Sequence, residues 1–149
     1  MTQRLHLGCG RDYREGWINI DSDPNVRADF HSDLEWDLPF DDNYIDEVYA
    51  RHIIEHVRDD VKLFNEIYRI CKNGAKILID VPDASSEGAH DWGHKSFWNI
   101  RKFHYLNRDN RSNHTGLECD FKLIEVSNHI EGDAPLDCKI ISVVLEVVK

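Results

Sequence analysis

Two strand-like segments stand too close together for an ordinary crossover. Arg4–Leu7 and Trp17–Ile20 carry strand-forming residues, and only Gly8-Cys9-Gly10 and Arg11–Gly16 separate them. A parallel crossover normally needs at least about 10–12 residues including its helix. Any helix between these two strands is therefore stunted or absent.

The rest of the chain alternates in the same manner. Val26–Phe30 is a weak third strand, Ser32–Asn43 a loop with Pro39 and Asp41-Asp42-Asn43 as turn formers, and Glu47–Ala50 a fourth strand. Asp59 or Asp60 can cap a helix running to about Lys72. Its apolar residues Val61, Phe64, Ile67, Tyr68 and Cys71 recur every three to four positions, the spacing of one helical face. Asn73-Gly74 supplies a left-handed stop. Ala75–Val81 is the clearest buried strand, ended by Pro82, and Phe97–Leu106 reads as a second helix. Phe121–Val126 and Ile140–Val148 are the last strands, joined across Glu131–Asp137 with no helical pattern between them. Strand, helix and strand in alternation give an α/β fold: a mainly parallel sheet with helices on both faces and an antiparallel C-terminal hairpin.

Composition bounds the functions open to such a fold. A chain of 149 residues fits one domain and can bury about 68–70% of its unfolded surface. Its 18 basic and 28 acidic residues leave a net charge of −10, which disfavours non-specific nucleic-acid binding. Arg101, Lys102, Arg108 and Arg111 form the one basic strip, diluted by Asp109 and aromatics, and a solvated helix face explains it better. Cys9, Cys71, Cys119 and Cys138 are widely spaced with no C-x-x-C pair, which points away from a disulfide scaffold or zinc site and toward a reducing, cytoplasmic setting. No signal-peptide pattern or membrane-span-length apolar run is expected.

The polar signals collect at the strand ends. The first strand ends in Gly8-Cys9-Gly10, the second in Asp21 and the fourth in Arg51-His52; Asp33-Leu34 follows the third. In an open parallel sheet, ligands bind beyond these carboxyl ends. The two glycines let backbone approach a ligand, and Asp21 can accept hydrogen bonds from a ribose diol. A dinucleotide fingerprint would continue to a third glycine and a helix N-terminus. Here Asp12-Tyr13 intervenes and the helix is missing, so a nucleoside without a pyrophosphate fits better.

L-H-L-G-C-G, then W-I-N-I-D, then D-L-E-W-D-L-P-F-D-D-N-Y-I-D-E-V-Y-A-R-H-I-I-E-H-V, then N-G before A-K-I-L-I-D-V-P resembles a class I S-adenosylmethionine (SAM)-dependent methyltransferase, a small type-11-like member. The resemblance runs from Leu5 to Val81. It implies a Rossmann-like fold with SAM as cofactor. It places Leu7, Gly8, Cys9 and Gly10 against the methionine part of SAM and Asp21 on the ribose hydroxyls. It places Asp33 and Leu34 at adenine, and Ala50, Arg51 and His52 beside the methionine end. The missing third glycine, the missing helix and the lack of cap helices before the first strand depart from the pattern. The last leaves the substrate side to residues 83–107 or to a second subunit.

Methyl transfer from a sulfonium needs alignment first, and a base only where the acceptor is protonated. His52 and His56 are candidates one helical turn apart, with Glu55 beside them, and His94 is a third. His90-Asp91-Trp92-Gly93-His94-Lys95 follows the fifth strand and reads as a lid or substrate contact. On a loop its two histidines have no fixed geometry, so no metal ligands are assigned. His6 inside the first strand reads as a core residue, Trp17 and Trp98 as packing, and Trp36 as either packing or adenine lining. The expected acceptor is a small or sugar-like molecule. A non-catalytic SAM-binding or assembly subunit and another nucleotide binder are the alternatives, and the hairpin edge offers a route to a homo-oligomer.

Overall fold

The structure, a computed structural model, describes residues 1–132 and 138–149; most of the expected final turn lies outside them. Strands β1 (Arg4–Leu7), β2 (Ile18–Asp21), β3 (Phe30–His31), β4 (Ile45–Arg51), β5 (Cys71–Pro82), β6 (Phe121–Glu131) and β7 (Cys138–Val147) form one sheet in the order β3-β2-β1-β4-β5-β7-β6. The pairs from β3 through β5 are parallel, and β7 runs antiparallel to both β5 and β6. The mainly parallel sheet, the C-terminal hairpin and the missing first helix match the expectation.

Side-chain hydrogen bonding replaces that helix. Asn19, fully buried on β2, accepts from Arg14 N–H at 2.9 Å and donates to the Arg14 and Trp17 carbonyls at 3.0 and 2.9 Å. One amide thus satisfies backbone groups that a helix would have paired internally. Asp29 continues the fastening, accepting from Asn19 N–H at 2.7 Å and from the Tyr13 hydroxyl at 2.9 Å. His6, 2% exposed, packs beside Asn19 (3.3 Å) and Tyr49 as a core residue, and burial pulls its imidazole below the ordinary value.

Helix α1 (Asp60–Ile70) starts where Asp59 accepts from Lys62 N–H at 2.9 Å, an N-cap worth about 1 kcal/mol. Its buried Phe64 meets Trp98 and Phe121, and Trp98 meets Phe103 of α2 (Ile100–His104). The two α-helices therefore join one cluster, with Val48, Ile77, Ile79 and Val143 of the sheet. Cover on both faces, expected from the alternation, is realised on this face. The opposite face carries half-buried Tyr49, Leu78, Asp80, Ser142 and Val144 around an open cavity of about 200 Å³.

Other boundaries differ for local reasons. The helix ends at Ile70, and Asn73-Gly74 is not its stop. Cys71 is already extended, and Gly74, at φ 79°, sits where the pairing steps from Ile45↔Cys71 to Glu47↔Lys76. The third strand shrinks to two exposed residues, while the polar run 127–129 continues β6 because β7 pairs with it. Of the basic strip, Lys102 pairs with Asp60, Arg101 bonds the Tyr105 hydroxyl at 2.8 Å, and Arg111 donates to the Leu106, Leu117 and Cys119 carbonyls. Those charges serve the fold.

Candidate functional site

Chain direction across the sheet reverses at β1, which has β2 on one side and β4 on the other. The carboxyl ends of β1 and β4 thus form the switch-point crevice. A cavity of about 100 Å³ opens there, lined by Gly8, Asp21, Asp33, Leu34, Ile53 and His56 among others. The sheet therefore brings together four expected cofactor contacts from three separate loops. Ligand pockets are usually at least about 300 Å³, so this one encloses part of a nucleoside-sized ligand and opens along the glycine turn. A larger groove of about 770 Å³ runs along α1, away from these strand ends, lined by Asp37, Asp42, Lys62 and Arg69.

Asp21 closes β2 with its carboxylate already oriented. Oδ2 accepts from Gly10 N–H at 2.7 Å and Oδ1 from Asp23 N–H at 2.9 Å. Each oxygen keeps a lone pair for a hydroxyl donor. Gly8 and Gly10 both have positive φ, 61° and 51°. A Cβ on Gly8 would lie 2.3 Å from Ile53 Cγ1, whereas nothing stands within 4 Å of that position on Gly10, which leaves its backbone open to a ligand. Asp33 uses Oδ1 to accept from Glu35 N–H at 3.0 Å, which turns the loop and leaves Oδ2 available. The loop is tied to α1 through buried Glu66, which accepts from Leu38 N–H at 2.7 Å, and through Arg69, which donates to the Phe40 carbonyl.

Leu7, Cys9 and Ala50 are buried in the core, at 0, 3 and 0% exposure, so their side chains support the turn from below. Arg51 and His52 reach Glu131 at the far end of β6, at 2.7 and 2.8 Å. His52 adopts φ 51°, an uncommon conformation for a non-glycine residue. Glu55 and, against the cost of burial, Glu131 push its imidazole above the ordinary value. Burial opposes ionisation of Glu131, but hydrogen bonds from Arg51, His52 and His129 outweigh it and hold the carboxyl at about 2.

The three candidate histidines separate into two settings. Residues 54–56 form a 3-10 turn, so His52 and His56 do not share an α-helical face. His52 turns to Glu131, whereas the His56 ring lies 4.8 Å from that of His94. The His94 side chain is only 8% exposed. Trp36 is 68% exposed and is neither core nor cavity lining; Trp98 is core at 1%. Trp92, in the expected lid, is fully exposed. Sequence reasoning missed Glu131, 79 residues from His52 and without any local signal, and Ile53, whose side chain fills the space over Gly8. Glu55 was visible in H-I-I-E-H, but its burial was not.

The methyltransferase-domain family profile matches residues 5–79, half of the chain. Phosphoethanolamine N-methyltransferase 2 of Caenorhabditis elegans is 48% identical over 40 residues, which are 27% of this chain and 9% of that protein. The chain thus spans only a small part of that curated relative. A complex between a methyltransferase activator of Haloferax volcanii and a methyltransferase contains a chain with a TM-score of 0.73 and 17% identity; the match covers 99% of this chain and 83% of that one. A SAM-dependent methyltransferase of Archaeoglobus fulgidus gives 0.66 and 16%, over 97% of this chain and 86% of that one. At such identities the structural likeness is one of fold. The family match, the strand order and the crevice residues agree, and the chain belongs to the type-11 family of class I methyltransferase domains, whose cofactor is S-adenosyl-L-methionine.

Proposed function

We propose that this chain transfers a methyl group from SAM to a small-molecule acceptor, with the nucleoside held by Gly8, Gly10, Asp21, Asp33 and Leu34. The observation that carries this reading is the Asp21 carboxylate. It is fixed by two backbone N–H groups, at the cavity that Asp33 and Leu34 also line, with lone pairs to spare. The donor set fits SAM: a carboxylate for the ribose diol, Asp33 Oδ2 for an exocyclic amine, and an open glycine turn for the methionine part. Bound SAM supplies an electrophilic methyl on a sulfonium.

The protein's own contribution is then alignment, which can lower a barrier by several kcal/mol without a dedicated base. His52 is held by Glu131 and orients the β4 end. The small-acceptor reading draws support from the net charge of −10, which repels polyanions, and from the short similarity to an enzyme named for phosphoethanolamine. The partial cavity and the activator-bound relative favour a second reading, in which a partner or a second copy of the chain completes the substrate side.

Calorimetric titration with SAM and S-adenosylhomocysteine tests the cofactor assignment. Wild type binds at micromolar levels. Asp21→Ala removes charged hydrogen bonds worth about 1.5–3 kcal/mol, a ten- to hundredfold loss. Equal affinity in the two proteins overturns the assignment.

A further inference from the structure

The residues around Glu55 carry an unexplained charge. Glu55 is 2% exposed, and neither carboxylate oxygen has a hydrogen-bond partner among the described residues. His52 Nδ1 at 3.6 Å and His94 Nε2 at 4.0 Å are its ion-pair contacts, both beyond hydrogen-bond range. A buried carboxylate without a hydrogen bond is costly, and proteins ordinarily pair or coordinate such a group more closely than this. His56 and His94 complete a set with Glu55 in which one ligand atom from each lies within 4.8 Å of the others.

Both rings are arranged as metal ligands usually are. His56 Nδ1–H donates to the Gly93 carbonyl at 3.0 Å, and His94 Nδ1–H donates to the Ala89 carbonyl at 2.9 Å. Since a carbonyl can only accept, Nδ1 is the protonated nitrogen in each neutral ring and Nε2 carries the free lone pair. Metal-bound histidines show this second hydrogen bond almost without exception. The backbone holds the loop in place: Lys95 and Ser96 N–H donate to the Glu55 carbonyl at 2.6 and 3.1 Å. Gly93 lets it come close, since a Cβ there would be 3.2 Å from the His56 ring.

From this geometry we propose that Glu55, His56 and His94 bind one first-row divalent metal ion, with Zn²⁺ the best match. Two imidazoles and one carboxylate are a zinc donor set, and a water completes four-coordination. Zinc ligands stand about 3.4 Å apart around the ion, so closing on it takes roughly 1–1.5 Å of side-chain movement. The ion would join the loop after β5 to the turn after β4, beside the cavity that His56 lines. The inference needs no bound SAM and stands apart from methyl transfer.

The test uses the full-length, tag-free chain, cleared of metal with a chelator and titrated with Zn²⁺ by calorimetry and with Co²⁺ by visible absorbance. The site predicts one equivalent per chain, four-coordinate cobalt bands and a rise in melting temperature with Zn²⁺. His94→Ala and Glu55→Gln each weaken binding at least tenfold, while His31→Ala and His114→Ala leave it unchanged. Glu55→Gln guards against misfolding, since it keeps the shape and removes only the unpaired charge. Metal-free, it melts at or above the wild-type temperature, and Zn²⁺ no longer raises it. Absence of stoichiometric binding overturns the proposal, as does binding that survives both site variants or is lost in the distant histidine variants.

Discussion

Asp21 and Glu55 are carboxylates at the same edge of the same sheet, and their surroundings differ in kind. Asp21 is partly exposed, and both its oxygens accept backbone N–H groups. Glu55 is sealed from solvent and neither of its oxygens accepts a hydrogen bond among the described residues, its contacts being the long ones to His52 and His94. The first side is an acceptor set held ready for a neutral, hydroxyl-bearing ligand. The second has more negative charge than its neighbours answer, which is the condition for recruiting a cation. One crevice thus carries a pre-formed nucleoside side and a side that an added ion would complete. The difference arises from chain path: the turns that follow β1, β2 and β3 build the first, whereas two segments meet at the second, the turn after β4 and the loop after β5.

Breaking the nucleoside side at its closest contact gives the largest effect. Gly8→Ala puts a methyl 2.3 Å from Ile53 Cγ1 at a φ of 61°. Left-handed strain of about 1–2 kcal/mol adds to an overpacking cost of about 1–3 kcal/mol. Urea unfolding should show a loss of about 2–5 kcal/mol, and calorimetry should show SAM binding lost. Retained binding would mean that Ile53 moves away freely.

Removing the fastening of the helix-free crossover comes next. Asn19→Ala leaves the Arg14 and Trp17 backbone groups without their partners, a loss of about 2–3 kcal/mol at typical costs for unpaired buried groups. Urea unfolding measures it, and SAM affinity falls with it because Asp21 sits two residues on. An unchanged midpoint would show that the turn holds itself.

The smallest effect sharpens the other side. The Glu131 carboxyl is ionised down to about pH 2 in the folded chain, against 4.5 as its ordinary value. Its contribution is therefore complete above 4.5 and disappears as pH falls through 2. Melting temperatures across this range should show wild type ahead of Glu131→Gln by on the order of 1 kcal/mol at pH 6, discounted for solvent exposure, and level with it near pH 2. A gap that is constant with pH would mean that the pairing with Arg51 and His52 adds nothing.

Much of this was legible in the sequence because it is local. The gap between Leu7 and Trp17 announced the missing helix, Asp59 or Asp60 the start of α1, and Ala75–Val81 the buried strand β5. The strand-end residues Gly8, Asp21, Asp33 and Leu34 meet at one cavity because parallel strands put their carboxyl ends along one edge. What stayed hidden depends on distance along the chain. Glu131 reaches His52 only because β6 extends through a polar run, and a sequence pattern keyed to apolar alternation stops at Val126. His94 meets Glu55 through backbone hydrogen bonds of a loop, which no periodicity encodes. The bare sheet face was hidden for a related reason: alternation counts helices but does not say on which side they lie.

Amide resonances of ¹⁵N-labelled protein titrated with S-adenosylhomocysteine test the central assignment most directly. The account predicts the largest shifts at Gly8, Gly10, Asp21, Ser22 and residues 32–35, with α1 little affected. Shifts confined to the groove along α1, or no shifts at saturating ligand, would contradict it.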